Sequence, residues 1–139
     1  MVIIDPKSGA LLLPFHCIEQ ITPGTELNEL ENQYFGWEKT TWPDGRSSFR
    51  IELQSRQEYE THHLLLWFCE SRLSSIKIFI TADSIGDSSS GWSKAKEIRR
   101  KKLHESMFCS ALGKHKWGAA RSVYDAEERQ SYILLEYTN

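Results

Sequence analysis

Three successive strand-like segments constrain the fold of this chain more than any other feature of its sequence. Residues 49–53 and residues 76–80 each alternate in polarity or size, as strands with one buried face do. Between them, residues 62–69 are largely apolar at both odd and even positions. This pattern is typical of a central strand covered on both sides, or of the middle of an interface. We therefore expect an antiparallel meander in which residues 64–68 are the most buried segment.

Turn and capping residues place the elements before the meander and at its start. Residues 2–4 and 10–13 flank a turn rich in Pro, Ser and Gly, which predicts an opening hairpin. A short helix is predicted over residues 26–33, because Thr25 can act as its N-cap and glutamates occupy its first turn. A strand over residues 37–42 then precedes an Asp-Gly turn that leads into the meander.

A second helix of roughly 20 residues is predicted after a Gly/Ser-rich loop, with Ser93 as N-cap and Gly113 as its end. Residues 117–124 and 131–137 then predict a closing hairpin. At about 100° per residue, five side chains of the helical segment fall in one arc, which we expect to face the sheet: Trp92, Ala95, Leu103, Met107 and Ala111.

The order hairpin, helix, meander, helix, hairpin predicts an α+β fold. We expect a single domain over residues 1–139, with a twisted antiparallel sheet and two helices mainly on one face. The length of 139 residues and the hydrophobic content of 40% allow such a domain to form a core without disulfides or metals.

Charge and hydropathy exclude several classes of protein. The net charge of −2 creates no general attraction to nucleic acid or to an anionic membrane. No segment has the length and apolarity of a membrane span, and the first residues lack the pattern of a signal peptide. We therefore expect a cytoplasmic protein. Cys17, Cys69 and Cys109 are odd in number and widely spaced, which predicts buried free thiols in a reducing compartment.

The histidines and cysteines do not form a recognisable catalytic or metal-binding motif. His62 and His63 are adjacent on a predicted strand, so their rings point to opposite faces and cannot bind one ion. His104 and Cys109 differ by about 140° on a helical wheel and do not form a dyad. We predict no metal and no cofactor. An enzyme with a site assembled from scattered His and carboxylate residues is one alternative.

Two kinds of charge cluster indicate binding functions. Residues 94–102 contain six basic side chains in nine positions, and this basic helix makes a nucleic-acid-associated protein a second alternative. Acidic residues collect in the long loop and in the last hairpin turn, where an exposed aromatic side chain nearby would anchor a protein partner. The predicted partner-binding residues are Asp83, Asp87, Trp92, Asp125, Glu127 and Glu128.

Two parts of the sequence resemble known proteins. Ile21-Thr22-Pro23-Gly24-Thr25, followed by a short helix and a meander up to Ile80, resembles the repeat unit of β-lactamase-inhibitor proteins and outer-membrane-assembly lipoproteins. The closing pattern from Trp92 to Tyr137 is similar to that of small bacterial immunity proteins, the partners of contact-dependent or secreted toxins. The resemblance implies a non-enzymatic cytosolic inhibitor that binds and blocks one cognate toxin domain. It assigns no binding residue.

Overall fold

The computed structural model describes residues 2–14, 16–33, 38–55, 59–89 and 91–138. It contains ten strands, two α-helices and one 3₁₀ turn within these ranges. In chain order, the elements are β1 (Ile3–Ile4), β2 (Leu11–Leu12), β3 (Gln20–Ile21), α1 (Leu27–Gln33), β4 (Glu38–Thr41), β5 (Ser47–Ser55), β6 (Glu60–Cys69), β7 (Arg72–Ala82), the 3₁₀ turn (Asp83–Ile85), α2 (Lys94–Met107), β8 (Gly113–His115), β9 (Gly118–Asp125) and β10 (Gln130–Tyr137).

The main sheet has seven antiparallel strands in the order β4-β5-β6-β7-β10-β9-β8. The predicted meander forms its first half, and the predicted closing hairpin lies beside it because β10 pairs with β7, with Ile133 opposite Ile78. The strand predicted over residues 37–42 is β4, although Trp37 lies outside the described residues. The predicted α+β fold with an antiparallel sheet is confirmed.

A second, three-stranded sheet of β1, β2 and β3 covers part of the main sheet. The opening hairpin was predicted, but β3 and β8 were not, since strands of two or three residues are too short to show a period. Two hydrogen bonds fix the β1–β2 turn of the small sheet to the β8–β9 turn and to β10. The Trp117 Nε1 donates to the Pro6 carbonyl at 2.9 Å, and the Tyr137 hydroxyl donates to the Gly9 carbonyl at 2.8 Å.

The hydrophobic core lies between the main sheet on one side and α2, α1 and the small sheet on the other. Each fully buried Leu or Ile contributes about 1.5–3 kcal/mol to stability through removal of apolar surface from water, so this layer dominates the folding energy. Leu30 of α1 belongs to the same core. The other fully buried side chains include Leu11, Leu13, Leu64, Leu66, Phe68, Ile76, Ile78, Ile80, Ile133 and Leu135.

Helix α1 begins one residue later than predicted, and Thr25 does not cap it. The Thr25 hydroxyl accepts a hydrogen bond from the Thr22 N–H at 3.1 Å, so it closes the preceding Pro-Gly turn. The Leu27 N–H donates instead to the Ser71 carbonyl at 2.8 Å, in the turn between β6 and β7. The start of α1 is therefore set by contact with the main sheet.

Helix α2 has 14 residues rather than about 20, and its buried face is polar. Ser93 caps it as predicted, since its hydroxyl accepts from the Lys96 N–H at 3.1 Å. The predicted apolar arc was wrong for two of its members, because Trp92 and Ala95 are exposed, although Leu103 and Met107 pack partly against the core. The side chains buried against the sheet are Glu97, Arg100 and His104.

These buried polar side chains bond to the backbone of the sheet. Glu97 accepts a hydrogen bond from the Ser131 N–H of β10 at 2.8 Å, and Arg100 donates to the Ile80 carbonyl of β7. The His104 Nε2 accepts from the Ile80 N–H at 3.1 Å. The other ring nitrogen of His104, Nδ1, is buried without a hydrogen-bond partner among the described residues. Helix α2 is thus attached to β7 and β10 by hydrogen bonds as well as by apolar packing.

All three cysteines are free, as predicted, but all three are exposed, so the prediction of buried thiols was wrong. Cys69 is the last residue of β6, directly before a tight turn that lies beyond the core. Cys109 follows the end of α2, where the chain turns towards β8. Phe68 and Phe108, which precede Cys69 and Cys109, are buried, and that burial ends before each cysteine.

Candidate partner-binding surface

One face of the main sheet carries neither a helix nor a second sheet in the described parts of the chain. The side chains of β6 alternate between the two faces: Leu64, Leu66 and Phe68 are buried, whereas Leu65 and Trp67 are partly exposed. The prediction that residues 64–68 form the most buried segment was therefore wrong, because its odd positions are partly exposed whereas residues 131–133 are buried in succession. Of the two interpretations of this strand, cover on both sides is not found within the described residues.

We call this side of the sheet the open face. Its register places Arg50 of β5 opposite Leu65 of β6, and Leu65 opposite Lys77 of β7. A groove of about 250 Å³ runs across the middle strands between these side chains. The central side chains of the open face are Arg50, His63, Leu65, Trp67, Lys77, Phe79 and Tyr132, and Glu128 lies at the rim of the groove.

Aromatic rings form much of the open face and are held by contacts with one another. His63 and Phe79 are stacked at a centroid distance of 4.4 Å with an interplanar angle of 5°. Trp42, at the end of the β4–β5 hairpin, packs on Trp67 at 4.9 Å. These rings have fixed positions before any partner arrives, which lowers the entropy that binding would cost.

The β4–β5 hairpin forms one wall of a second groove of about 310 Å³ on the open face. The Arg46 guanidinium lies 5.6 Å from the ring centroid of Trp67, and its Nε donates to the Asp44 carboxylate at 2.7 Å. Arg50, Leu65 and Trp67 line both grooves, so the two depressions are continuous across β5 and β6.

The charges at the centre of the open face are positive. The Lys77 ammonium lies 4.6 Å from the ring centroid of Tyr132 and 3.7 Å from the Glu128 carboxylate. Arg50 is exposed, and Glu38 lies opposite it across the β4–β5 register on the same groove. Burial lowers the pKa of His63 below its ordinary value, against the opposing effect of the Glu52 carboxylate, and so favours the neutral ring.

Four of the six predicted partner-binding residues lie together at the turn between β9 and β10. The Trp92 Nε1 donates to the Arg129 carbonyl at 2.7 Å, and the Arg129 guanidinium lies 5.2 Å from the Trp92 ring centroid. The Asp125 carboxylate accepts from the backbone N–H groups of Glu127 and Glu128 and so shapes the turn. Because Glu128 also borders the groove, this turn adjoins the open face.

The other two predicted residues, Asp83 and Asp87, do not belong to this turn. Asp83 is exposed in the 3₁₀ turn after β7. Asp87 accepts hydrogen bonds from both terminal nitrogens of Arg100 and from the Ala82 N–H. Although its burial alone would raise the pKa of Asp87, these hydrogen bonds hold that pKa below its usual range. Asp87 therefore acts as the internal counterion of a buried arginine.

The basic helix is largely engaged with its own chain. Arg100 is buried in an ion pair, Lys101 pairs with Glu105, and Arg99 donates to the Ile85 carbonyl at 2.8 Å. Lys96 donates to the carbonyls of the preceding loop. A phosphate backbone is bound by several free cations in a row, and few of the six cations of this segment are free.

The described residues contain no group of three or more His, Cys, Asp or Glu side chains suited to hold a metal ion. The two adjacent histidines point to opposite sides of β6, as predicted: His62 is buried, whereas His63 lies on the open face. Within the same described ranges, no helix is both long and apolar enough to cross a membrane.

Comparison with solved structures shows a protein of similar fold. A chain of the structure of Rhs1-CT in complex with cognate immunity protein RhsI1 matches this chain with a TM-score of 0.64 and 18% sequence identity. The match covers 99% of this chain and 87% of that chain. No protein-family model matches the sequence, and no curated protein matches it. The resemblance of residues 21–80 to β-lactamase-inhibitor proteins stays a prediction.

Proposed function

We propose that this chain is a non-enzymatic binding protein of the immunity type, which binds a cognate bacterial toxin domain and blocks it. The observation that carries the proposal is the open face: a sheet side with half-buried aromatic side chains, two continuous grooves and no covering element in the described residues. Similarity of fold to a chain of a toxin–immunity complex supports it. The protein would act in the cytoplasm, where the toxin reaches its target.

The size of the open face suits a protein partner. The seven strands contain 53 residues, which at a rise of about 3.3 Å per residue and a strand spacing of about 4.8 Å give a sheet face of roughly 840 Å². A specific protein–protein interface buries about 800 Å² on each partner. Tryptophan, tyrosine and arginine, which supply most of the binding energy at such interfaces, all lie in its central part.

The predicted acidic residues have a secondary place in this proposal. Trp92, Asp125, Glu127 and Glu128 form a corner beside the open face, where they would contribute polar contacts at the edge of the interface and steer a partner during approach. Asp83 is exposed and is retained as a steering residue. Asp87 is not part of the proposed contact surface, because its carboxylate is used by Arg100.

Co-expression tests the proposed function directly. The C-terminal domain encoded by the gene immediately upstream of this chain's gene is expressed from an inducible promoter, with or without this chain. We expect growth arrest without the chain and growth with it, and we expect the two proteins to co-purify. Rhs1-CT serves as the non-cognate control, against which this chain should give no protection.

Two results would contradict the proposal. One is growth arrest caused by this chain alone, which would indicate that it carries a toxic activity itself. The other is failure to protect or to bind when the upstream domain is shown to be toxic and soluble.

A further inference from the structure

We infer that the open face recognises a carboxylate of its protein partner, which Arg50 binds beside an apolar side chain seated against Leu65 and Trp67. This inference rests on the proposed function and adds the chemistry of the partner surface. It differs from the expectation drawn from the acidic loops, which would favour a basic partner.

Arg50 differs from the other cations on this side of the sheet. Arg46 pairs with Asp44 at 2.7 Å, Arg121 with Glu136 at 3.0 Å, and Lys77 approaches Glu128 at 3.7 Å. Glu38 lies opposite Arg50 across the β4–β5 register, but among the described residues no ion pair within 4.0 Å joins a carboxylate to the Arg50 guanidinium. Its side chain is exposed, and it lines both grooves. A partner that covers the open face would therefore bury an unpaired guanidinium.

Burial of an unpaired charge is unfavourable, so covering the open face favours a partner that supplies an anion to Arg50. The guanidinium presents a planar set of donors that matches a carboxylate with two parallel hydrogen bonds. The surroundings favour a protein carboxylate. Leu65 and Trp67 border Arg50 with apolar surface, which suits a side chain next to that carboxylate.

A nucleic acid fits this surface less well. Binding of a phosphate backbone uses several cations that follow the strand, whereas Lys77 is already close to Glu128 and Arg46 is paired with Asp44. A second copy of this chain also fits less well. In a symmetric face-to-face dimer, Arg50 and Lys77 of both copies would meet near the centre of the interface, and like charges repel there.

The test compares charge reversals at two exposed basic residues. The probe is the toxin domain encoded immediately upstream, and its affinity for the wild-type chain, Arg50→Glu, Arg50→Lys and Lys102→Glu is measured by isothermal titration calorimetry. Lys102 is exposed on α2, so Lys102→Glu changes the net charge equally but away from the open face. Thermal melting of each variant confirms that it is folded.

We expect Arg50→Glu to weaken binding at least about 30-fold, because it leaves the partner carboxylate unpaired and repelled in the interface. Arg50→Lys should lose less, and Lys102→Glu should bind as the wild type does. A scan of Asp→Lys and Glu→Lys variants of the toxin domain should yield one that binds Arg50→Glu better than the wild-type toxin domain does.

Other outcomes separate the inference from the proposed function. If the wild-type chain binds and protects while Arg50→Glu binds equally well, the inference is overturned and the proposed function stands. If the wild-type chain does not bind a toxic, soluble domain, both fail. The inference would also be overturned if the main effect of Arg50→Glu were the loss of a dimer in size-exclusion chromatography or the loss of RNA retention on a filter.

Discussion

Arg100 binds the carboxylate of Asp87 through two hydrogen bonds, 2.9 Å from Nη1 to Oδ2 and 2.7 Å from Nη2 to Oδ1. The guanidinium also donates to Glu97, and the fully formed cluster lies between α2 and the sheet. Burial alone would lower the pKa of Arg100, but the two carboxylates raise it above its ordinary value, so the side chain stays charged. The cluster joins the loop after β7 to the helix.

Arg100→Met should destabilise the protein by about 3–5 kcal/mol, because it leaves two carboxylates without their buried cation. The matched control is Arg99→Met, in which an exposed neighbour loses hydrogen bonds to one carbonyl and should cost about 1 kcal/mol. Urea unfolding followed by circular dichroism measures both. Equal losses for the two variants would mean that the buried cluster does not have this energetic role.

The two faces of β6 should respond differently to the same substitution. Leu66 is fully buried, so Leu66→Ala should cost about 2–5 kcal/mol through lost burial and the cavity left behind. Leu65 is half-exposed on the open face, so Leu65→Ala should cost less than about 1.5 kcal/mol while weakening partner binding. Denaturant unfolding measures the stabilities. A larger loss for Leu65→Ala would contradict the assignment of faces.

Stability should fall as the pH is lowered below about 6.5. Burial, with help from the charges of Arg100 and His62, lowers the pKa of His104 to about 3, so the folded protein keeps this ring neutral. The unfolded chain binds a proton at its ordinary pKa, and so binds more protons than the folded chain between pH 6.5 and pH 3. The contribution of the neutral His104 to the free energy of unfolding is complete above pH 6.5. It is lost on acidification by about 1.4 kcal/mol per pH unit.

His104→Gln is the matched variant, because an amide oxygen can still accept the Ile80 N–H but does not titrate. Urea midpoints at pH 7, 6 and 5 should fall more steeply in the wild type than in this variant. His63, whose pKa is also lowered, contributes in the same direction in both proteins and so cancels from the comparison. Parallel curves for the two proteins would refute the role given to His104.

All three thiols should react with Ellman's reagent in the native protein, since each cysteine is exposed. The absorbance change without denaturant should equal that in urea, and reductant should leave the intact mass unchanged. If the thiols become reactive only after denaturation, the cysteines are buried and the description of the turns that carry them is incorrect. A mass difference of about 2 Da with reductant would indicate a disulfide.

The strands of this protein could be predicted because alternation over five or more residues reports one buried face. The same reasoning failed for α2, where the buried residues are charged. A helical wheel that scores hydrophobicity selects Trp92 and Ala95, whereas burial of Glu97 and Arg100 depends on carbonyl and N–H groups of strands far away in sequence. Such pairing cannot be deduced from local periodicity.

The open face could not be predicted unambiguously from the sequence. Apolar residues at both odd and even positions of β6 fit either a strand covered on both faces or a strand at an interface. Which of the two applies depends on how many layers of secondary structure the chain packs against the sheet. Trp42 and Arg50 gave no sign of their role, because their position beside Trp67 follows from the β4–β5 pairing. The acidic residues of the β9–β10 turn could be identified from the sequence, but their closeness to the groove could not.

The binding surface is tested most directly by the affinity of the cognate toxin domain for two tryptophan variants. Trp67→Ala removes the aromatic centre of the open face, and Trp92→Ala removes an exposed tryptophan, 48% accessible, at the β9–β10 corner. We predict that Trp67→Ala weakens binding about 30-fold or more, as for a central aromatic anchor, while Trp92→Ala changes it only a few-fold. Loss of binding in Trp92→Ala, with wild-type affinity in a folded Trp67→Ala, would contradict the open face as the toxin-binding surface.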